Sequence, residues 1–151
     1  MFSKIIDFFK EQGWIYTVIE DKTIAILGIS GKNGKFQCIA DVREDEKKII
    51  FYSLCNSNVS EDKKILMCEL LTRINHGKFS GNFEMDLNDG EIRYKTSIYY
   101  GNLELSKDVI ENLIMTNIVT MDNALVSIMQ LIFSDTSPIQ AYNSIVEMKN
   151  D

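Results

Sequence analysis

The chain has 151 residues, 45% of them hydrophobic and 25% charged, with a formal net charge of −6. That length suits one domain over residues 1–151 with a real core, and the balance excludes a globally disordered chain. The acidic excess argues against nucleic acid and anionic membranes as partners, since both need clustered Lys and Arg; Lys47 with Lys48 and Lys63 with Lys64 are pairs flanked by acids.

Phe2, Ile5, Ile6 and Phe9 recur at helical spacing and Gly13 follows as a stop, which predicts a short N-terminal helix. This stretch carries acids and lacks a long apolar run, so it is not expected to be a signal peptide. Cys38, Cys55 and Cys68 are odd in number, widely spaced and form no CxxC. Together these features predict a cytoplasmic protein with free, mostly buried thiols. The single histidine, His76, has no cysteine close by, so no metal site is expected.

Four β-like runs follow: WIYTVIE, TIAILGIS, KFQCIADV and KIIFYSLC. Their breaks, Glu20-Asp21-Lys22, Gly31-Lys32-Asn33-Gly34 and Glu44-Asp45-Glu46, have turn chemistry and are short, which favours antiparallel neighbours. The stretch GISGKNGK invites a phosphate-loop reading. It lacks both the Gly-Lys-Ser/Thr ending and a GxGxxG pattern, so a hairpin is expected there and no cofactor.

Ser60 is placed to cap a second helix, with Glu61 and Asp62 in its first turn. Met67, Leu70, Leu71 and Ile74 form its apolar stripe, and Gly77 ends it. His76 is a candidate general base, but its place in INHGK suits a helix end, where the dipole favours His and Gly provides the cap.

Residues 83–95, FEMDLNDGEIRYK, hold acids and bases around one Asp-Gly. A type I′ turn with Asp89 and Gly90 at its centre sets Leu87 opposite Ile92, Asp86 opposite Arg93, Met85 opposite Tyr94 and Glu84 opposite Lys95. One face is then apolar and the other pairs opposite charges. An EF-hand fails, because counting from Asp86 puts Gly90 at position five and Ser97 at position twelve. Paired, exposed carboxylates also lack the raised pKa of a general acid, so no catalytic residue is assigned here. Tyr94, Tyr99 and Tyr100 lack the basic interleaving of a base-stacking surface.

Ser106 is placed to cap a last long helix, with Pro138 just past its end and a further helix over residues 139–148. Within residues 113–133 the only charge is Asp122. Ile114, Ile118, Met121, Leu125, Ile128 and Ile132 make a helical stripe, and Val119, Val126, Met129 and Phe133 add apolar residues outside it. Polar residues such as Asn117 and Ser127 interrupt the run and no basic belt flanks it, which argues against a membrane span. A helix apolar on both sides predicts burial by the sheet on one side and by a partner on the other. The order of elements is α, four strands, α, two strands, α, which predicts an α+β fold.

Residues 70–114 resemble the YbjN family of bacterial proteins. The carriers are Asn75 at the helix end, Phe83 in the first strand, the Asp89-Gly90 turn, Tyr94 in the return strand, and Leu105 with Ser106 opening the last helix. The resemblance implies a type III secretion chaperone-like fold, an antiparallel sheet with helices on one side, in proteins that are often dimeric. It implies a regulatory or sensory role and supplies no catalytic residues. Together with the apolar last helix, it leads to a noncatalytic protein-interaction module, chaperone-like or regulatory. A homodimer is expected through Val119, Val126, Met129 and Phe133, with a protein client possible. The alternative is a small-molecule-binding protein or enzyme with a pocket between helix and sheet that includes His76.

Overall fold

The computed structural model describes residues 1–148. Helix α1 (Phe2–Glu11) is followed by strands β1 (Tyr16–Val18), β2 (Ile24–Ser30), β3 (Lys35–Arg43) and β4 (Lys48–Cys55). A single 3-10 turn, Glu61–Lys63, leads into α2 (Lys64–Asn75). The hairpin β5 (Asn82–Met85) and β6 (Ile92–Tyr99), then α3 (Lys107–Phe133) and α4 (Pro138–Met148), complete the chain. All strand pairs are antiparallel in one sheet of order β1-β2-β3-β4-β6-β5. The fold is α+β, one antiparallel sheet with helices against it, as expected.

Period-two alternation sets the face that is covered. Phe36, Cys38, Ala40 and Val42 of β3, Ile49, Phe51 and Cys55 of β4, and Ile92 and Tyr94 of β6 are buried. They meet Ile5, Phe8 and Phe9 of α1 and the inward residues of α2 and α3 in one core. The helices pack on this face. The other face carries the row Ile26, Ile39, Tyr52 and Lys95, one residue from each of four neighbouring strands, all half-buried.

Several boundaries differ from expectation. The first β-like run is strand only over Tyr16–Val18. Ser60 does not cap a helix through its side chain: the 3-10 turn intervenes and α2 begins at Lys64. Its hydroxyl instead bonds Asp62, holding that carboxyl below the usual range. Ser106 does cap α3, accepting from Val109 N–H at 3.4 Å. Pro138 lies past the end of α3, as expected, and opens α4 one residue before the expected start, a position where its missing N–H is harmless.

The 82–95 hairpin is real, but its register is not the one expected. Glu84 faces Arg93, Met85 faces Ile92 and Phe83 faces Tyr94. Asp86 N–H donates to Glu91 O at 2.9 Å, so residues 87–90 form a four-residue loop. A type I′ turn needs positive φ at both central residues; here Gly90 has φ +78° and Asp89 is not in that region. The cause is tertiary. Val59 N–H donates to Gly90 O at 3.0 Å, and a Cβ on Gly90 would lie 2.2 Å from Val59 O. Asn58 Nδ2 holds Asp89 O at 3.1 Å, and Lys64 Nζ holds Leu87 O at 2.7 Å. Asp86 does not pair with Arg93; its carboxylate accepts the Asn88 N–H at 2.8 Å inside the loop. The shift is by two residues, so each side chain keeps its expected face while its partner changes.

Candidate interaction surface

Helix α3 is long and apolar enough, by length and composition, to cross a membrane, yet half of its most apolar window is buried in the fold. Its polar residues explain how it sits. Asn117 is fully buried; its Nδ2 lies 2.9 Å from Phe51 O, 3.1 Å from Tyr94 O and 3.1 Å from Thr96 Oγ1, all on the sheet. Asp122 accepts from Lys32 N–H (3.1 Å) and from Asn33 N–H (2.9 Å) in the β2–β3 turn. The turn fits so closely that a Cβ on Gly31 would meet Asp122 Oδ1 at 2.0 Å. Ser127 Oγ donates to Ala141 O of α4 at 2.5 Å. Steps of five residues rotate about 140° around a helix. These three side chains therefore grip three different parts of the molecule and fix the helix phase.

At the far end of α3, Lys63 Nζ donates to the carbonyls of Leu131 (3.0 Å), Ile132 (3.0 Å) and Ser134 (2.8 Å). This lysine closes a helix C-terminus whose last turn has no basic residue of its own. Its neighbour Lys64 anchors the hairpin loop. Neither role is visible in the sequence, where the two lysines only look like a weak basic pair.

With the phase fixed, α3 presents one arc outward: Asn112, Val119, Asn123, Gln130 and Phe133 are exposed, and Met115 and Val126 half-buried. None of these residues is charged; the exposed charges of α3, Lys107, Asp108 and Glu111, are confined to its first five residues. Among the expected contact residues, Val119 is 50% exposed and Phe133 73%, whereas Val126 is half-buried and Met129 packs against the core from its margin. Val119, Val126 and Phe133 lie seven residues apart and share the arc; Met129 flanks it.

The pocket alternative centred on His76 finds a groove of about 360 Å³ lined by His76, Tyr94, Thr116, Thr120 and Tyr142 among others. His76 follows the last residue of α2 and is exposed at the rim. Its N–H donates to Thr72 O at 3.1 Å, and Gly77 beyond it has φ +78°, so it stands at a helix end as expected. Tyr94 donates its hydroxyl to Ser80 O and bonds Thr120, and burial raises its pKa. Its polar tip is thus held by the fold. Among the described residues, no group of His, Cys, Asp and Glu is arranged to hold a metal. Burial pushes the Cys38 thiol up to about 12 despite a bond to Ser53, so it is a poor nucleophile; the structure gives all three cysteines as free.

Glu84 is doubly paired, bonded by Lys95 and by Arg93 at 2.9 Å. Burial works against its charge, but the bonds from Lys95, Arg93 and Asn82 outweigh it and hold the carboxyl below its ordinary range. A carboxylate so held is a structural acceptor, the opposite of a poised acid.

Comparison with solved structures agrees with this architecture. The crystal structure of YbjN from E. coli superposes with a TM-score of 0.62 at 9% identity, covering 98% of this chain and 93% of that chain. A chain of the HopA1–SchA chaperone–effector complex superposes with a TM-score of 0.52 at 14% identity, covering 79% of this chain and 87% of that chain. No curated protein matches in sequence. The model of the YbjN family, described as "Putative bacterial sensory transduction regulator", matches residues 3–125. That match spans both the N-terminal strands and the hairpin with its following helix, so the chain belongs to the YbjN family.

Proposed function

We propose that the protein is a noncatalytic, cytoplasmic protein-interaction module, chaperone-like or regulatory, that works as a homodimer through the outward arc of α3. The observation that carries this reading is the uncharged arc itself. A chain of net charge −6 keeps the exposed surface of α3 beyond Glu111 free of charge and studs it with Val119, Val126 and Phe133. An exposed stripe of this kind marks a protein contact. Two-fold pairing is the commonest symmetry, and a neutral seam avoids setting like charges together. The family description as a regulator and the chaperone–effector neighbour support protein contacts in a general way. A protein client would then bind elsewhere on the dimer.

Light scattering on the wild type tests the reading directly. A dimer is expected at micromolar concentration. Val119→Glu with Phe133→Glu should give a monomer with an unchanged circular dichroism spectrum, because both sites are exposed. A wild type that is a clean monomer would sink the homodimer.

A further inference from the structure

The two edges of the sheet are finished differently. At the β5 edge, Phe83 N–H donates to Asn75 Oδ1 (2.8 Å) and Asn75 Nδ2 donates to Phe83 O (3.1 Å). The asparagine that ends α2 thus occupies the main-chain groups a further strand would need. Glu84 adds a charge to the same short strand. These are common guards against edge pairing.

The β1 edge is equally short, three residues, but among the described residues no side chain occupies its outward main-chain groups. Residues 14–19 read Trp-Ile-Tyr-Thr-Val-Ile, without charge or proline and rich in β-branched side chains. Ile15 is 91% exposed and Val18 43%. Ile19 N–H donates to Ile24 O at 2.9 Å, and in register with it Thr17 faces Ile26. Bonded pairs alternate along an antiparallel ladder, so the N–H and C=O of Tyr16 and Val18 point outward, away from β2.

We propose that the β1 edge is a strand-addition site for an extended, β-branched segment of another polypeptide, running antiparallel to β1 with a basic residue at its N-terminal end. Outward main-chain groups at alternate residues hydrogen-bond a strand and leave a helix unsatisfied. Every pair in this sheet is antiparallel, which sets the direction. Beyond Val18 lie the exposed Glu20, Asp21 and Lys22, a turn of net negative charge whose two acids come first and which the N-terminal end of an antiparallel segment would reach. A second copy fits less well. Paired about Thr17, it would bring its Glu20 and Asp21 beside Gly13 and Trp14, close to Glu11, between chains that each carry −6. The site lies on a different element from the α3 arc and does not depend on the dimer.

The probe is the peptide acetyl-Lys-Thr-Val-Thr-Val-Thr-amide, titrated into the full chain with nuclear magnetic resonance and amide exchange as readouts. Saturable binding is expected below about 1 mM, with the Tyr16 and Val18 amides protected at least about tenfold. Replacing the probe's Lys by Glu should weaken binding severalfold. Val18→Pro should abolish it: the Val18 N–H faces outward, so proline removes the donor and spares the ladder. If that variant melts early, Val18→Lys serves instead and should also lose binding. No saturation at millimolar probe would overturn the proposal, as would binding that survives both variants. Protection of Tyr16 and Val18 that rises with protein concentration and needs no probe would give the edge to a second copy, and would also overturn it. Repeating the titration on Val119→Glu with Phe133→Glu separates this edge from the α3 contact, since the probe should bind that variant equally well.

Discussion

Lys63 and Glu84 show how single side chains hold this fold. Lys63 Nζ satisfies carbonyls at the end of α3 that have no intrahelical donor. Lys63→Met keeps the aliphatic stem and removes the charge, and should cost about 1–2 kcal/mol, read as a lower urea midpoint with an unchanged slope. Glu84 predicts a pH dependence. Its carboxyl is held below the ordinary 4.5 in the folded chain, so it contributes stability that is fully present above that value. The contribution is lost as pH falls through the lowered folded value. Melting temperature followed from neutral to acid pH should therefore drop less steeply for Glu84→Gln than for the wild type. Equal slopes below pH 4.5 would show that Glu84 carries no such linkage.

At the scale of an element, the hairpin separates two registers that look alike from outside. Both keep Met85 and Ile92 on one face and Glu84, Asp86 and Arg93 on the other. They differ in which charge Arg93 meets: Glu84 in the structure, Asp86 in the tight-turn alternative. A double-mutant cycle with Glu84→Ala and Arg93→Ala should show coupling of about 0.2–1 kcal/mol. The cycle with Asp86→Ala and Arg93→Ala should show none. The reverse result would restore the two-residue turn. Sequence pattern carries the face of each strand, because its period of two is local. It does not carry the loop length, which contacts from Val59, Asn58 and Lys64 select.

Across the whole molecule, α3 joins the layers. It reaches the sheet through Asn117, the β2–β3 turn through Asp122 and α4 through Ser127. Asn117→Asp would set a buried carboxylate among oxygen acceptors and should cost more than about 3 kcal/mol, measured by denaturant unfolding. A small cost would mean that the site admits water. Such a loss should appear at all probes together, because sheet and helices share one core.

Sequence alone determined the order and type of the elements, the two faces of the 83–95 hairpin, the helix end at His76 and the apolar excess of α3. These follow from local periodicity and turn chemistry, which neighbours along the chain already contain. The side-chain N-cap at Ser60 was misplaced because the residue type suits more than one position near a helix start. Only the tertiary structure decided which way α3 faces. An apolar helix has no preferred side by hydrophobicity, so Val119, Val126, Met129 and Phe133 could be named but not oriented. Asn117, Asp122 and Ser127 broke that symmetry: buried polar groups demand partners, and the partners lie on the sheet, in a turn and on α4, far away in the sequence.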